Sequence, residues 1–155
     1  LQSCLVHWNW FNTSWKKARI QKRQLNTAGQ SLHQAAATGS LEMVQYLVNE
    51  QKADPKAASS RGRTVLHEAA KSGSLKLVQY LVEKGVDPKA TDDEGKTVLH
   101  YATVMDNLEL FKYLVETCNL DPTVKDSEGR DSFYFAKRHY RQHISDYLKH
   151  INEKK

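Results

Sequence analysis

The chain has 155 residues, 39% of them hydrophobic and 26% charged, and its 23 lysines and arginines outnumber its 18 aspartates and glutamates by five. No stretch approaches the roughly 20 consecutive apolar residues of a membrane-spanning helix, so the sequence excludes a membrane-spanning bundle and indicates a soluble protein or fragment. The length suits one ordinary domain, and seven tyrosines, four phenylalanines and three tryptophans supply apolar surface for its core.

The two cysteines, Cys4 and Cys118, are far apart in sequence and define neither a disulfide framework nor a pair of metal ligands. A reducing compartment is the simpler interpretation, so we expect an intracellular protein of the cytoplasm or nucleus. The chain starts at Leu1, and its first residues lack the basic start and apolar run of a signal peptide. We therefore expect a processed piece of a longer protein.

The first 28 residues form a basic, tryptophan-rich flank with five basic and no acidic residues. Its aromatic and apolar residues are spaced as one stripe of a helix, at Trp8, Phe11, Trp15 and Ala18. Three interpretations stay open at this point. The flank is a helix that caps the edge of the structure after it, a disordered or artificial extension, or an amphipathic helix for an anionic membrane or a calmodulin-type partner.

The rest of the chain repeats with a period of 33 or 34 residues. The first pattern is the pentapeptide LHQAA, LHEAA or LHYAT, whose histidines are His33, His67 and His100. The second is an Asp-Pro pair at residues 54–55, 87–88 and 121–122. The third is an octapeptide at residues 41–48, 75–82 and 108–115, which reads LEMVQYLV in its first copy. Three patterns in phase identify an internal repeat.

Each repeat is predicted to contain two helices joined by a tight turn. In the second repeat the first helix carries the small pair Ala69 and Ala70, so that neighbouring units approach closely, and it ends at Gly73. The second helix ends at Gly85 and is followed by a polar loop at residues 89–96. Its predicted buried stripe is Leu75, Val78, Leu81 and Val82.

The sequence TVLH at residues 64–67 and 97–100 resembles the Thr-Pro-Leu-His start of the ankyrin repeat, with valine in place of proline. The resemblance covers residues 28–151 and implies an all-α ankyrin-repeat solenoid of stacked helix-turn-helix units with hairpin-like loops. We divide the chain into the flank at 1–28 and an ankyrin-repeat domain at 29–155. Its units lie at about 28–61, 62–94, 95–128 and 129–151.

The last unit is a degenerate cap, as expected of a terminal repeat with one neighbour and one wet face. It keeps the frame of the first helix and is followed by a predicted second helix with a basic outer side. We expect the apolar stripe of this tail, including its tyrosines, to lie in the core. The stripe is Tyr140, Ile144, Tyr147, Leu148 and Ile151.

No residue pattern indicates catalysis, a cofactor or a metal. The histidines occur once per unit and do not converge on one atom, and the resemblance implies that the Thr and His of this motif hydrogen-bond the loop and the adjoining repeat. The chain lacks a Gly-rich phosphate loop, a nucleophile elbow and paired cysteines. We interpret the acidic residues 92–94 as a solvated loop tip and Cys118 as an inert, half-buried thiol.

The resemblance places a partner-binding surface, the concave face, on the loop tips and on the outer side of each first helix. The predicted binding residues are Arg61, Arg63, Lys71, Ser72, Asp93, Glu94, Lys96, Val104, Met105, Arg130 and Arg138. Ser60, Ser127, Glu128 and His139 complete the same face by register. Val104 and Met105 stand where the second unit has a lysine and a serine, which favours an apolar hot spot. Alternatively, the pair packs under the fourth unit.

We predict a monomeric, non-catalytic module that binds another protein and no small-molecule substrate. One alternative is a regulatory ankyrin segment of a larger enzyme or channel. Another is binding of anionic lipid or nucleic acid by the basic flanks. Residues 129–155 contain seven basic and three acidic residues, whereas residues 29–128 contain 11 basic and 15 acidic. The positive charge therefore lies at the two ends, and the centre is slightly acidic.

Overall fold

A computed structural model describes residues 28–153, and every structural statement below concerns that part of the chain. It contains eight α-helices in four successive pairs and no β-strand, which confirms the predicted all-α class. A π-helical turn, Tyr113–Thr117, continues the sixth helix. The helices are α1 (28–37), α2 (Leu41–Asn49), α3 (Val65–Ser72), α4 (Leu75–Glu83), α5 (Val98–Val104), α6 (Leu108–Lys112), α7 (Ser132–Arg138) and α8 (Gln142–Glu153).

The units stack through their first helices. α3 packs against α4 of its own unit and against α5 of the next, and α5 packs in turn against α7. The predicted small pair, Ala69 and Ala70, is fully buried where α3 meets its neighbours, because only a methyl group fits between closely approaching backbones. The largest side chains of the core include Leu66, Leu99 and Phe111.

Polar side chains start several of these helices by accepting hydrogen bonds from backbone N–H groups of the first turn. Ser40 accepts from Met43 at the start of α2, and Asn107 accepts from Leu110 at the start of α6. Asp131 does the same for α7. Such caps satisfy donors that have no partner inside the helix, which fixes where each helix begins.

The turn between the two helices of a unit requires a left-handed residue. Gly73 has a φ of 76°, and Asp106, at the equivalent position of the third unit, keeps the same turn with a φ of 56°. Tyr140 occupies this position in the fourth unit, also with a φ of 56°, and its side chain is 92% exposed. The prediction that Tyr140 lies in the core is therefore wrong, because the left-handed turn directs its side chain into solvent.

The rest of the predicted C-terminal stripe packs inward. Ile144 and Leu148 are buried, while Tyr147 and Ile151 are half-buried. The Tyr147 ring meets Phe111 of the third unit edge-on, with 6.1 Å between ring centres. The last helix thus covers the end of the third unit, as a capping helix should.

The predicted stripe of α4 needs one correction. Its fully buried residues are Leu77, Val78 and Leu81, whereas Leu75 and Val82 are only half-buried. Leu77 was omitted because a single-helix pattern places it beside the stripe. In the stack a second helix can also contact the second helix of a neighbouring unit, as α6 and α8 do, which buries a wider surface than one stripe.

Within residues 28–153, nothing covers that surface in the first unit. Met43 occupies the position of Leu77 and Leu110, which are fully buried, yet Met43 is 51% exposed. Leu47 is half-buried, although the equivalent Leu81 is fully buried. The predicted capping helix within residues 1–28 lies outside the described residues, apart from residue 28, so this part of the division stays a prediction.

The alternating period of 33 and 34 residues has a structural cause. In each unit a buried residue after the second helix bonds back to that helix: Ala53 to Leu47 O, Val86 to Leu81 O and Leu120 to Leu114 O. The first and third units have one more residue between these partners than the second. The extra residue is taken up at the end of the second helix, where the N–H groups of Gln51 and Cys118 bond five residues back, to Tyr46 O and Tyr113 O, whereas Lys84 bonds four residues back, to Tyr80 O.

Candidate partner-binding face

The histidine of each central repeat joins its own helix to the loop of the next unit. The N–H of Thr64 donates to Nδ1 of His67 over 3.1 Å, which leaves the proton of a neutral ring on Nε2, facing the carbonyl of Lys96 at 3.2 Å. His100 repeats the arrangement with Thr97 and the Arg130 carbonyl, at 2.9 and 3.1 Å. The structural role predicted for these histidines is confirmed.

Burial of the two rings disfavours a second proton. The pKa of His67 and that of His100 both lie below the ordinary value, mainly because burial destabilises the charged ring. In each ring Nδ1 accepts from a backbone N–H and Nε2 faces a backbone carbonyl, so both nitrogens hold the repeat to its own turn and to the next loop.

Each loop that follows a unit closes as a short hairpin. Ser59, Asp92 and Asp126 donate from their backbone N–H to the carbonyls of Arg63, Lys96 and Arg130, respectively. Isolated bridge pairs join Ala58 to Thr64 and Thr91 to Thr97. These contacts give the loops the hairpin-like form that the sequence predicts.

Asp92 is buried, which corrects the interpretation of residues 92–94 as a solvated loop tip. Its carboxylate accepts hydrogen bonds from the N–H groups of Glu94 and Lys96 and from the hydroxyl of Tyr101. Burial by itself would raise the pKa of Asp92, but these hydrogen bonds outweigh it and hold the pKa below its ordinary value. Only Asp93 and Glu94 form the exposed tip.

Successive loop tips contact each other through the backbone. The N–H of Asp93 donates to the carbonyl of Arg61 over 3.2 Å, and the N–H of Ser127 donates to that of Glu94 over 2.9 Å. Gly95 permits this approach, because it has a φ of 71° and a Cβ there would lie 3.0 Å from the Ser127 nitrogen. The loop-tip residues therefore form one continuous surface.

A cleft of about 280 Å³ opens beside this surface, between the first helices of the third and fourth units. Met105, 47% exposed, and the half-buried Val104 form part of its lining. The alternative in which this pair packs under the fourth unit holds in part, since Phe135 and His139 of that unit share the lining. The remaining lining residues are Lys71, Lys96, His100 and Tyr101.

The other predicted binding residues differ in whether their side chains are free to contact a partner. Arg61, Lys71 and Arg138 are exposed and make no ion pair within residues 28–153. Ser72 turns inward, because its hydroxyl donates to the carbonyl of Ala69 over 2.8 Å. Its side chain also lies beside Gly39 of the preceding unit.

Two of the predicted arginines are held by their own chain. Arg63 lies 3.7 Å from a Glu68 oxygen and 3.6 Å from an Asp92 oxygen, and its guanidinium lies over the Tyr101 ring. Arg130 forms ion pairs with Asp126 and Glu128 and lies over the Phe135 ring. These arginines build the concave face more than they offer free charge to a partner.

Tyr101 and Phe135 are not among the binding residues predicted from the sequence. They form the aromatic walls of the cleft and meet His67 and His100 edge-on, with ring centres 5.7 and 5.4 Å apart. The equivalent position holds Gln34 in the first unit and Glu68 in the second. That change from polar to aromatic along the stack was the signal that could have identified them.

The described residues hold neither a cluster of metal ligands nor a helix that could span a membrane. No three His, Cys, Asp or Glu side chains of residues 28–153 are grouped so as to hold a metal ion. None of the described helices has the length and apolar character needed to cross a membrane. Cys118 is half-buried as predicted, and burial raises the pKa of its thiol.

Comparison with known families gives one match. The family model for ankyrin repeats, in three copies, matches residues 32–126, which is more than half of the chain. The match begins in α1 and ends in the loop before α7, so the degenerate fourth unit lies beyond it. No curated protein matches the chain.

Proposed function

The chain belongs to the ankyrin-repeat family, and we propose that it is a non-catalytic module that binds a segment of another protein on its concave face. Ankyrin repeats are in general protein-interaction modules, and their stacked units present an extended surface of loop tips and first helices. Fold alone does not assign a partner, so the proposal depends on this chain's own side chains.

The observation that carries the proposal is the apolar pair in the cleft, of which Met105 is exposed and Val104 half-buried. Val104 and Met105 lie within the cationic and aromatic surroundings of Lys71, Tyr101 and Phe135. An exposed methionine in a concave site with a polar rim is the arrangement found at the centre of protein interfaces, where a few apolar anchors supply most of the binding energy.

The proposal of a non-catalytic role is supported by how the titratable groups are used. His67 and His100 have hydrogen bonds on both ring nitrogens, and Asp92 and Asp126 accept hydrogen bonds from their own loops. These side chains are therefore committed to holding the repeats together. We keep the division into a flank and a four-unit domain, and the monomeric state, as parts of the same proposal.

The test is capture of a partner by the full chain, followed by identification of the contact by cross-linking and mass spectrometry. The test variant is Arg61→Glu, Lys71→Glu and Met105→Ala, which leaves out Arg63 because its ion pairs stabilise the fold. We expect loss of the cross-linked partner with an unchanged melting temperature.

The matched control is Lys76→Glu, Lys125→Glu and Val124→Ala, which makes the same number and kind of changes at exposed positions away from the cleft. It should retain capture. Equal capture by both variants contradicts binding at the concave face. Capture that disappears only when residues 1–27 are removed assigns binding to the basic flank instead.

A further inference from the structure

We infer that the segment bound at the concave face is acidic and inserts one apolar side chain into the cleft between α5 and α7. This inference rests on the proposed function and adds the chemistry of the partner. It comes from two independent features, the distribution of paired and unpaired charges and the size of the cleft.

The acidic side chains of the concave face are largely neutralised within the chain. Arg63 lies against Glu68 and Asp92, Lys96 pairs with Glu94, and Arg130 pairs with both Asp126 and Glu128. Asp92 and Asp126 are also buried. The slightly acidic composition of residues 29–128 therefore does not give this face a negative charge.

The unpaired charges on the same face are mostly positive. Arg61, Lys71 and Arg138 are exposed and have no ion pair within residues 28–153. Among the carboxylates of this face in the same residues, Asp93 alone is exposed and without an ion pair. Because an interface favours complementary potentials and disfavours like charges, these three cations select an acidic partner and repel a basic one.

The cleft accepts a single apolar side chain. Its volume of about 280 Å³ lies at the lower limit of small-molecule pockets, which span roughly 300–1,000 Å³. Met105 lines it with an adaptable thioether, and the Tyr101 and Phe135 rings share the lining. A leucine, methionine or phenylalanine from a partner would bury its surface there.

The positions of the two features favour a peptide over a nucleic acid. Lys71 is part of the cleft lining, so an acidic residue next to the inserted side chain meets a cation at the rim. A phosphate backbone would use the cations but would leave the apolar cleft empty. An acidic segment with an apolar anchor uses both at once.

The experiment selects binders to the full chain from a random twelve-residue peptide library displayed on phage. We expect the selected peptides to be enriched in aspartate and glutamate around one leucine, methionine or phenylalanine. A synthetic selected peptide should bind roughly tenfold or more weakly to Met105→Asp. It should also bind more weakly to Lys71→Glu, and binding should return when the adjacent acidic residue of the peptide is changed to lysine.

Three controls separate the outcomes. Val124→Asp serves as the matched control for Met105→Asp, and circular dichroism verifies that each variant is folded. Peptides that depend on Met105 but show no acidic enrichment overturn the inference and leave the proposed function standing. Peptides insensitive to both Met105→Asp and Lys71→Glu contradict both. Stronger Lys71-dependent binding to a DNA duplex or to phosphatidylserine vesicles than to any peptide assigns the cations to phosphate and overturns the inference.

Discussion

The hydroxyl of Tyr101 donates a hydrogen bond of 2.6 Å to Oδ2 of Asp92, nine residues earlier in the chain. The guanidinium of Arg63, from the second unit, lies over the same tyrosine ring and 3.6 Å from the same carboxylate oxygen. One tyrosine thus connects the first helix of the third unit, the loop before it and the preceding unit. The wall of the cleft is also part of the structural link between units.

The first prediction concerns that link. Tyr101→Phe removes one of three donors to the buried Asp92 carboxylate and should lower the free energy of unfolding by about 1–2 kcal/mol. Chemical denaturation measures this loss. Tyr140→Phe is the matched control, because Tyr140 is almost fully exposed. Equal losses in the two variants would show that the hydrogen bond to Asp92 contributes nothing.

The second prediction is a dependence of stability on pH. Because the pKa of His67 and that of His100 lie below the ordinary value of about 6.5, the unfolded chain takes up protons at a higher pH than the folded chain does. Their contribution to stability is therefore complete above about pH 6.5 and is lost as the pH falls toward the folded-state pKa values.

Denaturation curves between pH 7.5 and 5 measure this slope. His67→Gln should lower stability at neutral pH and reduce the slope, since one buried proton acceptor is gone. His150→Gln, at an exposed position of α8, should change neither. A slope as steep in His67→Gln as in the unaltered chain argues against a contribution from this ring.

The third prediction concerns the left-handed turn of the third unit. Asp106→Gly should raise the free energy of unfolding by about 0.5–1 kcal/mol, because glycine adopts this conformation without the cost that a Cβ imposes. The change also removes Oδ1 of Asp106, which is buried without a hydrogen-bond partner among the described residues. Gly73→Ala, at the equivalent position, should lower it by about 1 kcal/mol. Thermal unfolding compares the stability of the two variants. If both variants are stabilised or both are destabilised, the left-handed conformation does not explain the effect.

The fourth prediction tests the capping interpretation of the N-terminal flank. All three tryptophans, Trp8, Trp10 and Trp15, lie outside the described residues, so tryptophan fluorescence reports on the flank alone. If the flank covers the exposed Met43 of the first unit, emission is blue-shifted and moves to longer wavelength in Met43→Asp. Met105→Asp, in the third unit, should leave it unchanged. Emission typical of water in the unaltered chain would rule out the cap.

Much of the fold was predictable because the repeat supplies the same local signals several times. The histidine pentapeptide and the Asp-Pro pair each recur at one position in three units, so an ambiguous signal in one unit is resolved by the other two. Tyr140 could not be placed in this way. Its helical spacing suggested the core, whereas its position at the left-handed turn is evident only once the fourth unit is aligned with Gly73 and Asp106.

The candidate site was less predictable than the fold, because side-chain pairing decides which charges are free. The sequence places Arg61 and Arg63 together on the concave face, but only the structure shows that Arg63 is engaged with Glu68 and Asp92. The apolar pair at 104–105 was identified from the sequence. The aromatic walls at Tyr101 and Phe135 depend on how neighbouring units stack, which no single repeat encodes.

The first and third units are one residue longer than the second, before Ala53 and Leu120, yet this difference in length does not change the concave face. In both units the last turn of the second helix takes up the added length, through a hydrogen bond that reaches five residues back, and the left-handed residue that follows is common to all three units. The loop tips and first helices that follow keep their alignment with neighbouring units. A one-residue insertion between Lys84 and Gly85 should therefore be tolerated without disturbing the concave face, which makes this junction a natural place to lengthen the chain in engineering or in evolution.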